Sequence, residues 1–150
     1  MGEPVDFDNK KELIKHQPVF SQLTDGEIDV LADLLIEIYC EPGNVIVKQG
    51  DPVDSVYLIV SGTCDVNITT YPNNLPETKK VAVLGPKEAI GLSETGFYSL
   101  SGIRTATVIA NSEMVLLKLN VAAFHGFALA YSHVSDVMRK IADSVLKNNA

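Results

Sequence analysis

Residues 41–66 read EPGNVIVKQGDPVDSVYLIVSGTCDV, and the alternation of turns and short apolar runs in this stretch decides the fold class. The turn signals are Pro42-Gly43, Gly50-Asp51-Pro52 and Ser61-Gly62. Apolar runs lie between them at 45–47 and 56–60, and an alternating run follows at 64–68. The stretch therefore predicts three short consecutive strands.

Helices are predicted on both sides of these strands. The residues Thr24 to Glu27 form a capping box, and the apolar residues after them recur at helical spacing, which predicts a helix over Asp25–Glu37. A shorter helix is predicted over Asp8–His16. Near the C-terminal end, apolar periodicity predicts helices over Val121–Ala130 and from Val134 to about Lys147.

Between these helices, the pattern predicts about eight strands. The clearest are Glu37–Cys40, Val45–Lys48, Ser55–Ser61, Thr63–Thr70, Thr78–Leu84, Arg104–Ala110 and Met114–Leu119. The polar segment Tyr71–Pro76 is predicted at the tip of a hairpin, and the last two strands are predicted to pair across Asn111-Ser112. Gly85-Pro86 breaks the fifth of these strands, and the residues from Glu88 to Phe97 can hold a short helix.

Composition fits one globular domain of 150 residues, with 46% hydrophobic and 21% charged residues. The net charge of −7 argues against a broad nucleic-acid surface, because neutralising phosphates requires clustered Lys and Arg. A small anionic ligand is still compatible with this charge, since one buried arginine can hold one phosphate.

The cysteine count and the hydropathy pattern predict the compartment. Two cysteines, Cys40 and Cys64, are too few for a disulfide framework, and both fall in or beside predicted strands, so we expect core thiols. The chain has no apolar run near the ~20 residues of a membrane span and no signal segment at its start. A cytoplasmic protein with no membrane partner is expected.

Two motifs resemble those of the cyclic nucleotide-binding domain family. They are G-D-P-x-x-x-x-Y-L-I-x-x-G at 50–62 and R-T-A-T-V at 104–108. The resemblance covers about Pro18–Lys147. It implies an α+β fold: a cyclic nucleotide-binding β-roll (a double-stranded β-helix or jelly roll of about eight strands) with N-terminal helices and two C-terminal helices. Residues 1–17 would then form an N-terminal helical extension, and residues 18–150 the cyclic nucleotide-binding-like domain.

The resemblance also implies a ligand site. Family members hold a cyclic phosphate with an Arg and with backbone N–H groups, in a cassette of the form F-G-E-x-A-L followed by R-A-A-T or R-T-A-T. Ile90-Gly91 resembles the F-G pair, and Arg104 matches the phosphate-binding Arg. An arginine fork and amides at a helix N-terminus are suitable donors for a buried anion. The implied ligand-binding residues are Gly91, Leu92, Ser93, Glu94, Arg104 and Thr105.

The cassette departs from the family pattern at Leu92. Family members have a Glu there, which accepts a hydrogen bond from the ribose 2′-hydroxyl, and losing that partner costs about 1–3 kcal/mol. In one alternative Glu94, ten positions before Arg104, replaces it; in the other the gap after Leu92 is longer and no acidic residue meets the ribose. Thirteen positions separate Gly91 from Arg104, so some rearrangement of the cassette is expected.

The nucleotide and the cavity wall stay open at this stage. A Thr at position 105 favours guanine in similar domains, but a β-branched residue is also common in any strand, so the sequence does not choose between cAMP and cGMP. Val81, Val83 and Ile90 are expected either to line the pocket or to belong to the core.

The leading hypothesis is a regulatory sensor that binds cAMP or cGMP through Arg104. No P-loop, G-x-S-x-G or H-E-x-x-H motif is present, so we expect no enzyme and no cofactor. In related transcription regulators a DNA-binding domain follows the last helix, and this chain ends there, so direct DNA binding is not expected. The C-terminal helix could contact a second copy or an effector protein.

Two alternatives remain. A degenerate domain that no longer binds nucleotide would act as a protein-interaction module, and a carboxylate such as Glu88 or Glu94 would then pair with Arg104. Haem-binding relatives of the fold suggest a third possibility, in which His125 or His133 is an axial ligand.

Overall fold

Two four-stranded antiparallel sheets and four α-helices make up most of the part of the chain that is described. The computed structural model describes residues 4–93, 96–97 and 102–149, and for 93, 96–97 and 142–149 it describes the backbone alone. In chain order the elements are α1 (Phe7–His16), α2 (Asp25–Leu34), β1 (Ile36–Cys40), β2 (Val45–Val47), β3 (Ser55–Ser61), β4 (Cys64–Thr70), β5 (Glu77–Leu84), β6 (Ala89–Ile90), β7 (Leu92–Ser93), β8 (Gly96–Phe97), β9 (Thr107–Ala110), β10 (Met114–Asn120), α3 (Val121–Ala130) and α4 (Ser132–Asn149).

The strands of these two sheets switch from one sheet to the other along the chain at every step except between β4 and β5, which form a hairpin. The first has the strand order β1-β10-β3-β6, the second has the order β2-β9-β4-β5, and β7 pairs with β8 as a separate hairpin. Every pairing within them is antiparallel. The predicted α+β β-roll of about eight strands with flanking helices is therefore confirmed.

Strand β3 is the centre of the molecule because apolar layers cover both of its faces. Tyr57 and Ile59 pack between the two sheets, in a cluster we call the sheet–sheet core. Val56 and Leu58 point to the opposite face and pack against the helices, in a cluster we call the helix–sheet core. Successive side chains of a strand point to opposite faces, so an uninterrupted apolar run is the expected sequence of a strand buried on both sides.

Most predicted elements are confirmed, including the capping box at Thr24, the hairpin between β4 and β5, and strand Ser55–Ser61. The predicted helix over Asp25–Glu37 is too long, since α2 ends at Leu34 and Ile36 already pairs with Lys118 of β10. Pairing with a central strand thus overrides the helical periodicity in the last residues of that segment.

Two further predictions about the second half are wrong. The described residues of 88–97 form strands instead of a short helix, because Ala89 and Ile90 pair with β3 and Gly91 has a positive φ of 81°. The last two strands, β9 and β10, do not pair across Asn111-Ser112, because they lie in different sheets. Strand β9 also begins at Thr107 and not at Arg104.

The N-terminal helix packs on the rest of the fold through Ile14, which is fully buried in the helix–sheet core. The division between an extension of residues 1–17 and a domain of residues 18–150 stays a prediction. Cys40 and Cys64 are free thiols, as expected, and burial raises the pKa of Cys64 to about 11. Within the described ranges, no helix has the length and apolar character needed to span a membrane.

Candidate ligand-binding site

Arg104 connects the two sequence motifs in space. Its backbone N–H donates to the carbonyl oxygen of Asp51 at 2.8 Å, and its own carbonyl oxygen accepts from the Gly50 N–H at 2.9 Å. Pro52 and Ile103 form an isolated antiparallel bridge beside these bonds. The turn at 50–52 therefore positions the backbone from which the Arg104 side chain enters the fold.

The guanidinium of Arg104 is buried and only partly satisfied. Nη2 donates to the carbonyl oxygen of Ser55 at 2.6 Å and lies 3.4 Å from the Ser55 hydroxyl oxygen. Among the described residues, the carboxylate that pairs with Nη2 is that of Asp54, at 3.7 Å, and the Asp54 side chain is 81% exposed. Nη1 is buried and has no hydrogen-bond partner within the described residues. One nitrogen of the fork is thus held in place while the other has free donors.

The electrostatic environment favours an added anion at this point. Burial is the largest influence on the pKa of Arg104 and lowers it, while Tyr57, Asp54 and Asp51 act in the opposite direction without fully offsetting it. A buried guanidinium without a close counterion is costly, so an anion that met Nη1 would relieve that cost. Asp54 is too exposed and too distant to serve fully in that role.

A cavity of about 380 Å³ lies beside the guanidinium, and this volume is within the usual range for small-molecule sites. Its wall is mostly aliphatic and comes from both sheets. The lining residues are Val47, Val53, Val66, Ile68, Val81, Ala82, Leu84, Ala89, Ile90, Gly91, Leu92, Arg104, Thr105, Ala106 and Val108. The cavity therefore offers one buried cation and a broad apolar surface, which suits an anionic ligand with a flat or apolar body.

Gly91 lies close to the free nitrogen of Arg104. A Cβ atom at residue 91 would lie 2.7 Å from Arg104 Nη1 and 3.4 Å from Cγ1 of Val56. The positive φ of 81° is also a conformation that residues with a Cβ rarely adopt. Glycine at this position lets the backbone pass next to the guanidinium and keeps that end of the cavity open.

The other predicted site residues differ in how they are placed relative to the cavity. Thr105 is exposed at its edge, and Leu92 is 8% exposed and belongs to the helix–sheet core while also lining the cavity. The backbone of Ser93 belongs to β7, whereas Glu94 lies outside the described residues. Leu92 thus contributes packing at the position where a family member has its acidic residue.

The degenerate-domain hypothesis pairs Arg104 with Glu88 or Glu94, and Glu88 has a different partner. Glu88 accepts a hydrogen bond from the Gly85 N–H at 3.0 Å, which caps the turn at 85–88. Glu94 is outside the described residues. The contact from Asp54 was not anticipated from the sequence, and neither was the Ser55 carbonyl, because a backbone acceptor leaves no mark in the side-chain pattern.

Gln49 is a third residue that sequence reasoning missed. Its side chain donates to the Thr69 carbonyl at 2.9 Å and accepts from the Thr69 N–H at 2.8 Å, and its backbone N–H donates to the Thr107 hydroxyl at 3.0 Å. These bonds join the chain after β2 to the end of β4 and to the start of β9. A polar residue just before a Gly-Asp-Pro turn was the only available signal.

The histidines give no sign of a metal or haem site. His133 Nδ1 lies 2.8 and 3.0 Å from the two carboxylate oxygens of Glu27, and His125 is exposed on α3. Across the described part of the chain there is no group of three or more His, Cys, Asp or Glu residues arranged to hold a metal ion.

A β-roll that encloses an apolar cavity with one buried arginine defines a domain suited to a small anionic ligand. A sequence model of the cyclic nucleotide-binding domain matches residues 37–131, from β1 through the end of α3. The chain belongs to the cyclic nucleotide-binding domain family.

Similar proteins include kinases and regulators. The cAMP-dependent protein kinase regulatory subunit of Dictyostelium discoideum is 28% identical over 114 residues, covering 76% of this chain and 33% of that protein. The cGMP-dependent protein kinase of Toxoplasma gondii is 34% identical over 109 residues, which cover 73% of this chain and 10% of that protein. The chain thus spans a third or less of these relatives.

A solved structure matches nearly end to end. It is the N-terminal domain of a transcriptional regulator from Streptomyces coelicolor A3(2), with a TM-score of 0.76, 25% identity, and coverage of 91% of this chain and 92% of that one.

Proposed function

We propose that this chain is a regulatory sensor domain that binds cAMP or cGMP, with the cyclic phosphate on Arg104. The observation that carries the proposal is the buried Nη1 of Arg104, which has no partner within the described residues, in a side chain that lines a cavity. A hydrogen bond between ions is roughly twice as strong as a neutral one, so a phosphate oxygen is a suitable partner for this nitrogen.

The shape of the cavity supports a nucleotide. Its aliphatic wall, from residues such as Val66, Ile68 and Val108, can cover a purine, and Gly91 and Leu92 line the same cavity as Arg104. The two kinase relatives are named for cAMP and for cGMP, which supports the ligand class without choosing between the two nucleotides.

The proposed mechanism is an equilibrium shift. Phosphate bound by Arg104 and by backbone amides draws the segment around Gly91 inward, and α4 repacks as a lid over the base. A ligand drives such a change only through its higher affinity for the closed arrangement. The role is regulatory and not catalytic, it belongs to the cytoplasm, and it acts through an effector protein or a second copy at the C-terminal helix and not on DNA.

A second candidate function is a protein-interaction module that no longer binds nucleotide. The observation that favours it is Leu92, which is buried in the helix–sheet core where a family member has an acidic residue. The free Nη1 of Arg104 argues against it, because a domain without a ligand has no reason to keep a buried donor unmet.

Thermal unfolding with and without cAMP or cGMP tests the proposal. A nucleotide at a hundred times its dissociation constant adds about 2.7 kcal/mol, a shift of several degrees in Tm. Arg104→Glu should remove the shift while the β-roll stays folded, and Arg104→Lys should reduce it, because lysine keeps the charge and loses the fork.

Arg139→Lys is the matched control, since Arg139 is 70% exposed and pairs with Asp136 on α4. This variant should retain the full shift. No shift with either nucleotide at millimolar concentration would contradict the sensor and favour the interaction module.

A further inference from the structure

Glu27 is a buried carboxylate that the ligand cavity does not use. It lies in the first turn of α2 and is only 7% exposed. One carboxylate oxygen accepts the backbone N–H of Thr24 at 2.8 Å and closes the capping box. Nδ1 of His133 lies 2.8 Å from the same oxygen and 3.0 Å from the other one. Both oxygens of this buried acid are therefore occupied.

The bonds to Glu27 favour its ionised form. Burial raises the pKa of Glu27, but the hydrogen bonds from the Thr24 backbone and from His133 lower it more, so the net pKa is below the ordinary value. A buried carboxylate that has lost one of its donors would be costly, which makes the contact with His133 a strong constraint on both elements.

His133 brings this constraint to the beginning of α4. It is the second residue of that helix and follows the break at Tyr131, where α3 ends. The hydroxyl of Ser135 also donates to the carbonyl oxygen of Ala128 in α3. The first turn of α4 is thus attached to α3 by one side chain and to α2 by another, and the contact with α2 is the longer-range one.

The position of α4 affects the cavity indirectly. Val134, from the first turn of α4, is fully buried in the helix–sheet core, the same cluster that contains Leu92. Leu92 follows Gly91, which lies against Nη1 of Arg104. Helix α4 also contacts β8 of the hairpin that follows Gly91. None of the described side chains that line the cavity comes from α4, so residues 132–141 of the helix leave the cavity uncovered in this arrangement.

Neighbouring charges on these helices form pairs of their own. Lys11 of α1 lies 3.3 Å from Asp29 of α2, and Lys15 lies 3.9 Å from Asp25. On α4, Arg139 pairs with Asp136. The residues in these pairs are more exposed than Glu27, and none of the pairs joins α2 to α4. Among the described ion pairs, the one between Glu27 and His133 connects these two helices.

We propose that the Glu27–His133 pair is a latch that holds α4 in the uncovered arrangement and thereby lowers the affinity of the cavity for its ligand. The inference rests on the proposed function, because it requires α4 to move over a bound nucleotide. A movement that begins at the first turn of α4 separates His133 from Glu27, so the pair stabilises the uncovered arrangement and opposes closure.

Nucleotide affinity of Glu27→Gln, His133→Gln and the double variant tests the latch, with cAMP and cGMP titrated by calorimetry. Glutamine serves the capping box as well as glutamate does, so Glu27→Gln removes the carboxylate that His133 contacts and keeps the helix start. Each single variant should bind the nucleotide about fivefold more tightly, at the lower end of the range for coupled sites, and the double variant no more tightly than either.

Glu12→Gln and His125→Gln are the matched controls, since both residues are exposed on α1 and α3. They should leave affinity unchanged. Unchanged or weaker binding by both latch variants would overturn the proposal, because it would show that the contact between Glu27 and His133 does not oppose the movement of α4.

Hydrogen exchange without nucleotide separates this inference from the proposed function. Backbone amides at 134–141 should exchange about fivefold faster in Glu27→Gln than in wild type, and Glu12→Gln should match wild type. Unchanged exchange would overturn the latch whatever the ligand. If wild type binds neither nucleotide but exchange accelerates as expected, the sensor fails and the latch on α4 stands.

Discussion

Arg104 and Glu27 are buried to the same degree, at 7% exposure each, yet their surroundings differ in one respect. Both oxygens of Glu27 are occupied by donors from Thr24 and His133. Arg104 has one nitrogen on Ser55 and another with no partner within the described residues. A buried charge with a full set of partners holds the fold together, whereas one with an unmet donor beside a cavity indicates a ligand.

The strongest way to break this comparison is Arg104→Gln. We expect nucleotide affinity to fall by at least two orders of magnitude, since truncating one partner of a buried charge pair costs about 2–5 kcal/mol. The free energy of unfolding without ligand should change by less than about 1 kcal/mol, because Asp54, its carboxylate partner within the described residues, is 81% exposed and an exposed ion pair contributes little. Calorimetric titration and urea unfolding measure the two quantities, and a large loss of stability with retained affinity would reverse the roles assigned to the two residues.

Glu27→Ala should show the opposite pattern. It removes the acceptor for Thr24 and His133, so we expect the free energy of unfolding to fall by about 1–3 kcal/mol. Urea unfolding measures the loss. Glu12→Ala, on the exposed face of α1, is the control and should change stability by less than about 0.5 kcal/mol. Equal effects of the two variants would show that the buried contacts of Glu27 contribute nothing.

Gly91→Ala sharpens the comparison at the arginine. A methyl group at this position meets Nη1 at 2.7 Å, and its positive φ adds about 1–2 kcal/mol of strain. We expect roughly tenfold weaker nucleotide binding with reduced stability. In contrast, Gly26→Ala lies within α2 with open space around it and should raise stability by about 0.5–1 kcal/mol. If Gly91→Ala bound the nucleotide as tightly as wild type, Gly91 would not be part of the ligand site.

The smallest effect should be the acid dependence of stability. Because the pKa of Glu27 is lowered in the folded protein, its contribution is fully present above the ordinary value of 4.5 and is lost as the pH falls through the lower, folded value. Glu27→Gln should therefore lose less stability than wild type between neutral pH and pH ~3. Thermal unfolding across this range measures the difference, and parallel profiles would contradict the assigned ionisation.

The core strands were predictable because their sequence pattern is local. An unbroken apolar run between two turns predicts β3, and alternation predicts β4, since both features reflect how many faces of a strand are buried. The capping box at Thr24 is equally local, and it sets the start of α2 without reference to the rest of the chain.

The failures share a physical cause. The end of α2, the strands within 88–97 and the separation of β9 from β10 all depend on which distant strand a segment pairs with. Ala89 and Ile90 pair with residues of β3 that precede them by more than thirty positions, and no local pattern encodes that partner. The intrinsic secondary-structure propensity of a segment is outweighed wherever pairing with a distant strand supplies its backbone hydrogen bonds.

For the site, the sequence alone predicted that a buried arginine could hold an anionic ligand. The family resemblance then pointed to Arg104 and Gly91. Only the tertiary structure decided that Nη2 is held by the Ser55 carbonyl, that Nη1 lies against Gly91, and that Leu92 belongs to the core. It also joined Glu27 to His133, which are 106 positions apart. The positions of strands and their burial can be read from a local pattern, whereas the partners of a strand or of a buried charge depend on how distant segments meet.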